Sequence, residues 1–195
     1  MMNKERGYLT ARVDARSKTV MDSFPPEDKK ALFPIGRLDK DTEGLLLITD
    51  DGALFQRLTS PDSKIAKIYY FVAIGEISDE EAAKIESGVK IYANRDFVTS
   101  PARVRIESRK TLSDFMEFLS EEDTRLAKRK TTLPAISGTV EITEGKKHQV
   151  RRMIGHAGCR VVYLKRIKIG NLPLDESIPL GSFRPLTEDE IELLK

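Results

Sequence analysis

The sequence predicts an α+β fold with a mixed, mainly antiparallel sheet and peripheral helices. Two observations carry this expectation. About seven to nine strand-like and four or five helix-like segments follow one another without the strict alternation of a doubly wound parallel sheet. In addition, Lys67–Ile74 is apolar on both faces, with Tyr69, Phe71 and Ala73 on one side and Ile68, Tyr70, Val72 and Ile74 on the other. Such a strand belongs in the middle of a sheet, because either face left in water would expose large side chains.

From the N-terminus, Gly7–Val13 reads as a short strand on the propensities of Tyr8 and Thr10. Residues 18–30 are polar and contain Pro25-Pro26, so they read as a loop. Ala31–Ile35 leads in extended form into a glycine loop, Gly36-Arg37-Leu38-Asp39-Lys40-Asp41-Thr42-Glu43-Gly44, which runs directly into the aliphatic strand Leu45–Thr49. Asp50 or Asp51 can cap a helix over Ala53–Leu58, whose apolar stripe is Leu54, Phe55 and Leu58. Ser78-Asp79-Glu80-Glu81 is a capping box that opens a helix through Ser87. Val89–Tyr92, Ala102–Glu107 and Ser137–Thr143 read as strands, and Thr111–Lys130 as a highly charged peripheral helix. Lys146–Ala157 has helical spacing and is stopped by Gly158; Val150, Met153, Ile154 and Ala157 face inward and Arg151 sits at the rim of that stripe. Arg160–Ile169 is a long strand, and Thr187-Glu188-Asp189-Glu190 is a second capping box, for a terminal helix.

A chain of 195 residues suits one domain or two small lobes sharing a core, here expected to share one sheet and divide near residue 64. It is 39% hydrophobic and 33% charged, as a water-soluble protein would be. No apolar run approaches the ~18 residues of a membrane helix, and Met-Met-Asn-Lys-Glu-Arg is not followed by a signal-peptide core. A single cysteine, Cys159, excludes an internal disulfide and fits the cytoplasm; with two histidines it is too little for a structural zinc site. The net charge of +2 conceals segregation. Lys146, Lys147, Arg151, Arg152, Arg160, Lys165, Arg166 and Lys168 fall in a stretch with no acid, whereas Asp114, Glu117, Glu121, Glu122 and Asp123 cluster elsewhere. The basic stretch is either a solvated face or a phosphate-binding one.

Several constellations compete for chemistry. Asp39, Asp41, Glu43 and Gly44 open like a calcium loop, but Leu47 and Asp50 occupy the positions where that loop needs further ligands. Gly138–Lys147 lacks P-loop spacing and has no Ser or Thr after its lysine. Cys159 reads as a small buried residue, and His148 and His156 stand too far apart on one helix to share a metal. That leaves Asp39, held either as a structural turn residue or as a working carboxylate on the rigid lip of a core.

The motif Gly36-Arg37-Leu38-Asp39-Lys40-Asp41-Thr42-Glu43-Gly44-Leu45-Leu46 resembles the signature of the RNA pseudouridine synthases of the ribosomal small-subunit type and their large-subunit relatives. Lys67-Ile68-Tyr69 resembles that family's second motif, and Glu144-Gly145-Lys146-Lys147-His148-Gln149-Val150-Arg151-Arg152-Met153 its third. Leu164–Gly170 and Gly181–Thr187 resemble its C-terminal part. The family often has Lys-Pro where this chain has Lys4-Glu5.

The resemblance implies a pseudouridine synthase catalytic domain over residues 1–195, with a central RNA-binding cleft. Members of this group usually carry a small S4-type domain before it; this sequence departs from that pattern, as either a fragment or a short member. It implies isomerisation of uridine to pseudouridine with no cofactor and no metal. Asp39 would be the essential catalytic acid, Arg151 its ion-pair partner, and Tyr69 the residue stacked on the uracil. Arg37 would fill the space left by the flipped uridine. Lys67, Lys146, Lys147, Arg152 and Arg166 would contact phosphates, with His148 also against RNA. The implied substrate is ribosomal RNA, 16S ahead of 23S, in a pre-ribosomal particle, acted on by a monomer. A ribosome-assembly module that binds RNA without catalysis is the alternative, against which the presence of Asp39, Tyr69 and Arg151 argues.

Overall fold

A computed structural model of the chain describes Met1–Tyr92 and Asp96–Leu194. β1 (Met2–Lys4) is followed, after a long loop, by β2 (Phe33–Ile35) and β3 (Glu43–Thr49). α1 (Gly52–Thr59) starts where the Asp51 carboxylate accepts from the Ala53 and Leu54 amides. β4 (Lys67–Ile74) precedes α2 (Asp79–Ser87), which the Ser78–Glu81 capping box opens. β5 (Lys90–Tyr92) pairs antiparallel with β6 (Asp96–Val98). Then come β7 (Arg103–Thr111), α3 (Glu121–Arg129), β8 (Pro134–Ile142), α4 (Gln149–His156), β9 (Arg160–Ile169), β10 (Leu172–Pro173) and α5 (Glu188–Glu192). The class is α+β with a mainly antiparallel sheet, as expected. Among the described residues no helix is long and apolar enough to cross a membrane.

The contacts divide the chain into two compact units. The first comprises Met1–Lys67 and the chain from Lys165 onward, and the second Ile68–Leu164. In the first unit β3 is the organising strand. It pairs antiparallel with β1 (Met2 opposite Leu46) and with β2 (Ile35 opposite Leu47), and parallel with β9 (Gly44 opposite Arg166). Leu45, Leu47, Leu58, Ile169, Leu172 and Ile178 form its core. Each such side chain contributes ~1.5–3 kcal/mol by leaving water, which pins β3 and hence the loop that feeds it.

In the second unit the strand order is β9-β4-β8-β7, so β4 has a neighbour on each side, as its two apolar faces predict. β7 and β8 pair from Arg103 opposite Glu141 to Thr111 opposite Pro134, with an irregularity between Ile106 and Ser108. Val72, Leu112, Phe115, Ala127, Ala135, Val162 and Tyr163 form the core.

Three expected elements differ. Gly7–Val13 is not a strand: only Leu9 makes a bridge, to Thr19, because an Asp14 carboxylate that accepts from the Arg16 and Ser17 amides turns the chain back. Thr111–Lys130 is not one helix. It is a 3₁₀ turn over Leu112–Phe118 and then α3, restarted by the Ser120 hydroxyl; nor is it wholly peripheral, since Leu112 and Ala127 are fully buried. The basic helix starts at Gln149 rather than Lys146, because His148 takes a left-handed conformation (φ 53°) that no α-helix accommodates.

Candidate active site

The loop before β3 holds Asp39, half-buried, between two bracketed neighbours. On its N-terminal side the Thr10 hydroxyl donates to the Leu38 carbonyl (2.8 Å) and accepts from the Leu38 amide (3.1 Å). On its C-terminal side the Lys40 carbonyl accepts from the Gly7 amide at 2.8 Å and from Lys4 Nζ at 3.3 Å. Lys4 Nζ also donates to the carbonyls of Thr42 (2.8 Å) and Glu5 (2.9 Å). The turn closes on itself through the Thr42 amide and the Asp39 carbonyl (3.1 Å). Leu38 is buried and plugs the loop into the core, while Arg37 beside it is exposed.

Lys4 is a buried ammonium with three carbonyl acceptors, one per N–H it can offer. Burial pulls its pKa down to about 8, against the opposing pull of Asp41, Glu43, Asp39 and Glu5. Nearby, buried Glu43 takes a salt bridge from Arg6 Nε at 2.6 Å. Sequence reasoning assigned no role to Lys4 or Thr10. The only signal was a lysine directly after Met-Met-Asn, a place where a charge must find acceptors if the strand is buried.

Arg166 departs from expectation. It is buried, and its Nε donates to the Leu45 carbonyl at 2.8 Å. It braces β3 against β9 instead of presenting a charge to solvent. Lys67 is half-buried, and its Nζ donates to the Ile65 carbonyl at 2.9 Å. Burial, and then the Arg166 charge, lower its pKa.

The other expected residues lie in the second unit. Tyr69 is buried on β4, on the face it shares with Phe71 and Ala73. Arg151 is half-buried on α4, and its Nη1 donates to the Val161 carbonyl of β9 at 3.0 Å. Lys146, Lys147 and His148 stand exposed on one loop with Arg152 close by; Arg152 Nη1 donates to the Lys147 carbonyl at 2.8 Å. The buried Gln149 amide shapes this loop. Its Oε1 accepts from the Lys146 amide (2.8 Å) and its Nε2 donates to Glu144 (2.6 Å). Lys146 Nζ lies 4.8 Å from the Phe97 ring centre, a cation–π distance.

A carboxylate set on a doubly tied loop, with a buried tyrosine, a half-buried arginine and an exposed basic loop elsewhere in the chain, is the equipment of an enzyme acting on a polyanion. The family model for RNA pseudouridylate synthase matches residues 1–156, and the chain belongs to that family. Its activity is the isomerisation of uridine to pseudouridine in RNA.

Among similar proteins, an RNA pseudouridine synthase of Bacillus subtilis, itself uncharacterized, is 39% identical over all of this chain and 72% of its own length. The ribosomal small subunit pseudouridine synthase A of Salmonella typhimurium is 35% identical over 98% of this chain and 71% of its own. A crystal structure of a pseudouridylate synthase superposes with a TM-score of 0.79 at 31% identity, covering 100% of this chain and 72% of that one.

Proposed function

We propose that this enzyme converts one uridine of small-subunit (16S) ribosomal RNA to pseudouridine, in the cytoplasm and as a monomer acting on a pre-ribosomal particle. Both units would serve as one catalytic domain over residues 1–195. What supports the target is the 35% identity, across nearly the whole chain, to a relative named for the small ribosomal subunit.

In this reading Asp39 is the catalytic carboxylate. It acts at the ribose, either adding to C1′ or removing a ribose proton, as the N1–C1′ bond breaks. The uracil turns over, C5 bonds to C1′, the C5 proton leaves and N1 gains one, so the product is an isomer. Tyr69 stacks on the base, and Arg151 would be the charge partner of Asp39. Arg37 fills the gap that the flipped nucleotide leaves. Lys146, Lys147, His148 and Arg152 hold phosphates, with Lys67 a weaker contributor because it is half-buried and bonded to a carbonyl. Arg166 is a brace and drops out of the phosphate set.

The test is to incubate the enzyme with small- and large-subunit precursor particles from a strain of its source organism lacking the gene, and map pseudouridine in their 16S and 23S RNA by carbodiimide primer extension. One new stop in 16S is expected. A stop confined to 23S would move the target to the large subunit, and none in either would overturn the ribosomal assignment.

A further inference from the structure

Asp39 is bracketed by a segment that none of the motifs includes. Leu38 is buried, so its amide and carbonyl both need protein partners, and no strand supplies them. Thr10, itself buried, supplies both from one hydroxyl, at 3.1 and 2.8 Å. A hydroxyl can do this because it is donor and acceptor together. The anchor is itself fixed. The Leu9 amide donates to the Lys18 carbonyl (2.9 Å) and the Val20 amide to the Leu9 carbonyl (2.9 Å). The Thr19 amide donates in turn to the Asp22 carboxylate (2.8 Å), beside the fully buried Val20 and nearly fully buried Met21. A continuous chain of short contacts thus runs from Asp22 through Thr19, Leu9 and Thr10 to Leu38, the residue before Asp39.

We propose that Thr10 is a positioning residue for catalysis, its hydroxyl setting the backbone at Leu38 and thereby the direction of the Asp39 carboxylate. The inference rests on the reading of Asp39 as the catalytic carboxylate. Lys4 and Gly7 hold the far side of Asp39 through Lys40. Loss of Thr10 therefore frees one end of the bracket while the other stays tied, which swings the side chain without emptying the loop. Small misplacements of a reacting group are costly in rate and cheap in binding.

The experiment compares Thr10→Val, which keeps the shape and removes the hydroxyl, with Thr10→Ser, which keeps the hydroxyl, in tritium release from 5-tritiated uridine in rRNA. Thr10→Val is expected to lower kcat roughly 10- to 100-fold with KM within about twofold of wild type, and Thr10→Ser to restore kcat to within about threefold. Should Thr10→Val fail to fold, Thr10→Cys, whose thiol is a weaker donor and acceptor, is expected to lose about tenfold in kcat. Wild-type kcat in the folded valine or cysteine variant, or equal losses for valine and serine, would overturn the proposal. Asp39→Asn run alongside separates the two readings. An active Asp39→Asn enzyme defeats the catalytic assignment, whereas an inactive one beside a fully active Thr10→Val enzyme defeats the positioning role alone.

Discussion

Gly44 faces Arg166 across the parallel β3–β9 pair so closely that a Cβ at Gly44 would collide with the Arg166 carbonyl oxygen. The obstacle is backbone, which cannot swing aside, and Gly44 also has φ +97°, outside the range of L side chains. Gly44→Ala is therefore expected to destabilise the protein by roughly 2–5 kcal/mol, combining overpacking with left-handed strain. Urea denaturation reads this directly, and a change of less than about 1 kcal/mol would contradict the geometry.

Arg166 acts from inside. Replacing it with Met removes the hydrogen bond to the Leu45 carbonyl and leaves that buried acceptor short of a donor. A loss of about 1–3 kcal/mol in stability is expected, with the salt dependence of RNA binding unchanged. A flatter salt slope at wild-type stability would return Arg166 to the phosphate contacts.

Lys146 and Lys147 make the opposite prediction. Each is exposed, so its replacement by Ala leaves stability nearly untouched. Each replacement should lower the slope of log affinity against log salt by about 0.7, the counterion release of one single-strand phosphate. Fluorescence anisotropy of labelled rRNA fragments measures it; an unchanged slope in both variants would remove this loop from the interface.

Acid should loosen the first unit through Arg184. The Ser177 hydroxyl and then Arg184 hold Asp175 down to about 2, and Arg184 holds Glu190 down to about 2. Both carboxylates thus have folded pKa values below their ordinary ones. Their stabilisation is complete above about pH 4.5 and disappears as pH falls toward about 2. Glu190→Gln should remove part of this dependence, giving a shallower loss of urea midpoint across that window. An unaltered profile would show that the pair with Arg184 (2.6 Å) does not carry it.

Local chemistry made much of this fold legible. β4, β9, α2 and the Asp51 cap lie where apolar alternation and capping residues place them, because each is decided by neighbours in sequence. The breaks at Ser120 and His148 turn on local backbone geometry, whereas the misses at Gly7–Val13 and Arg166 depend on distant partners. Gly7–Val13 has strand propensity, yet its hydrogen bonds go to Lys18, Leu38 and Lys40, which no periodicity reveals. Arg166 looked like one more charge in a basic run, and only the β3–β9 register buries it. The Asp39 motif was recognisable as a unit, whereas its support from Lys4 and Thr10 spans roughly thirty residues or more of chain.

The most direct measurement of the central claim is tritium release from 5-tritiated uridine in rRNA by wild type and by Asp39→Asn, a near-isosteric change that replaces one carboxylate oxygen with an NH2 group and removes the charge. The account predicts steady release by wild type and a loss of roughly 10³-fold or more in the variant, with RNA affinity within about threefold. Release by Asp39→Asn at the wild-type rate would contradict it.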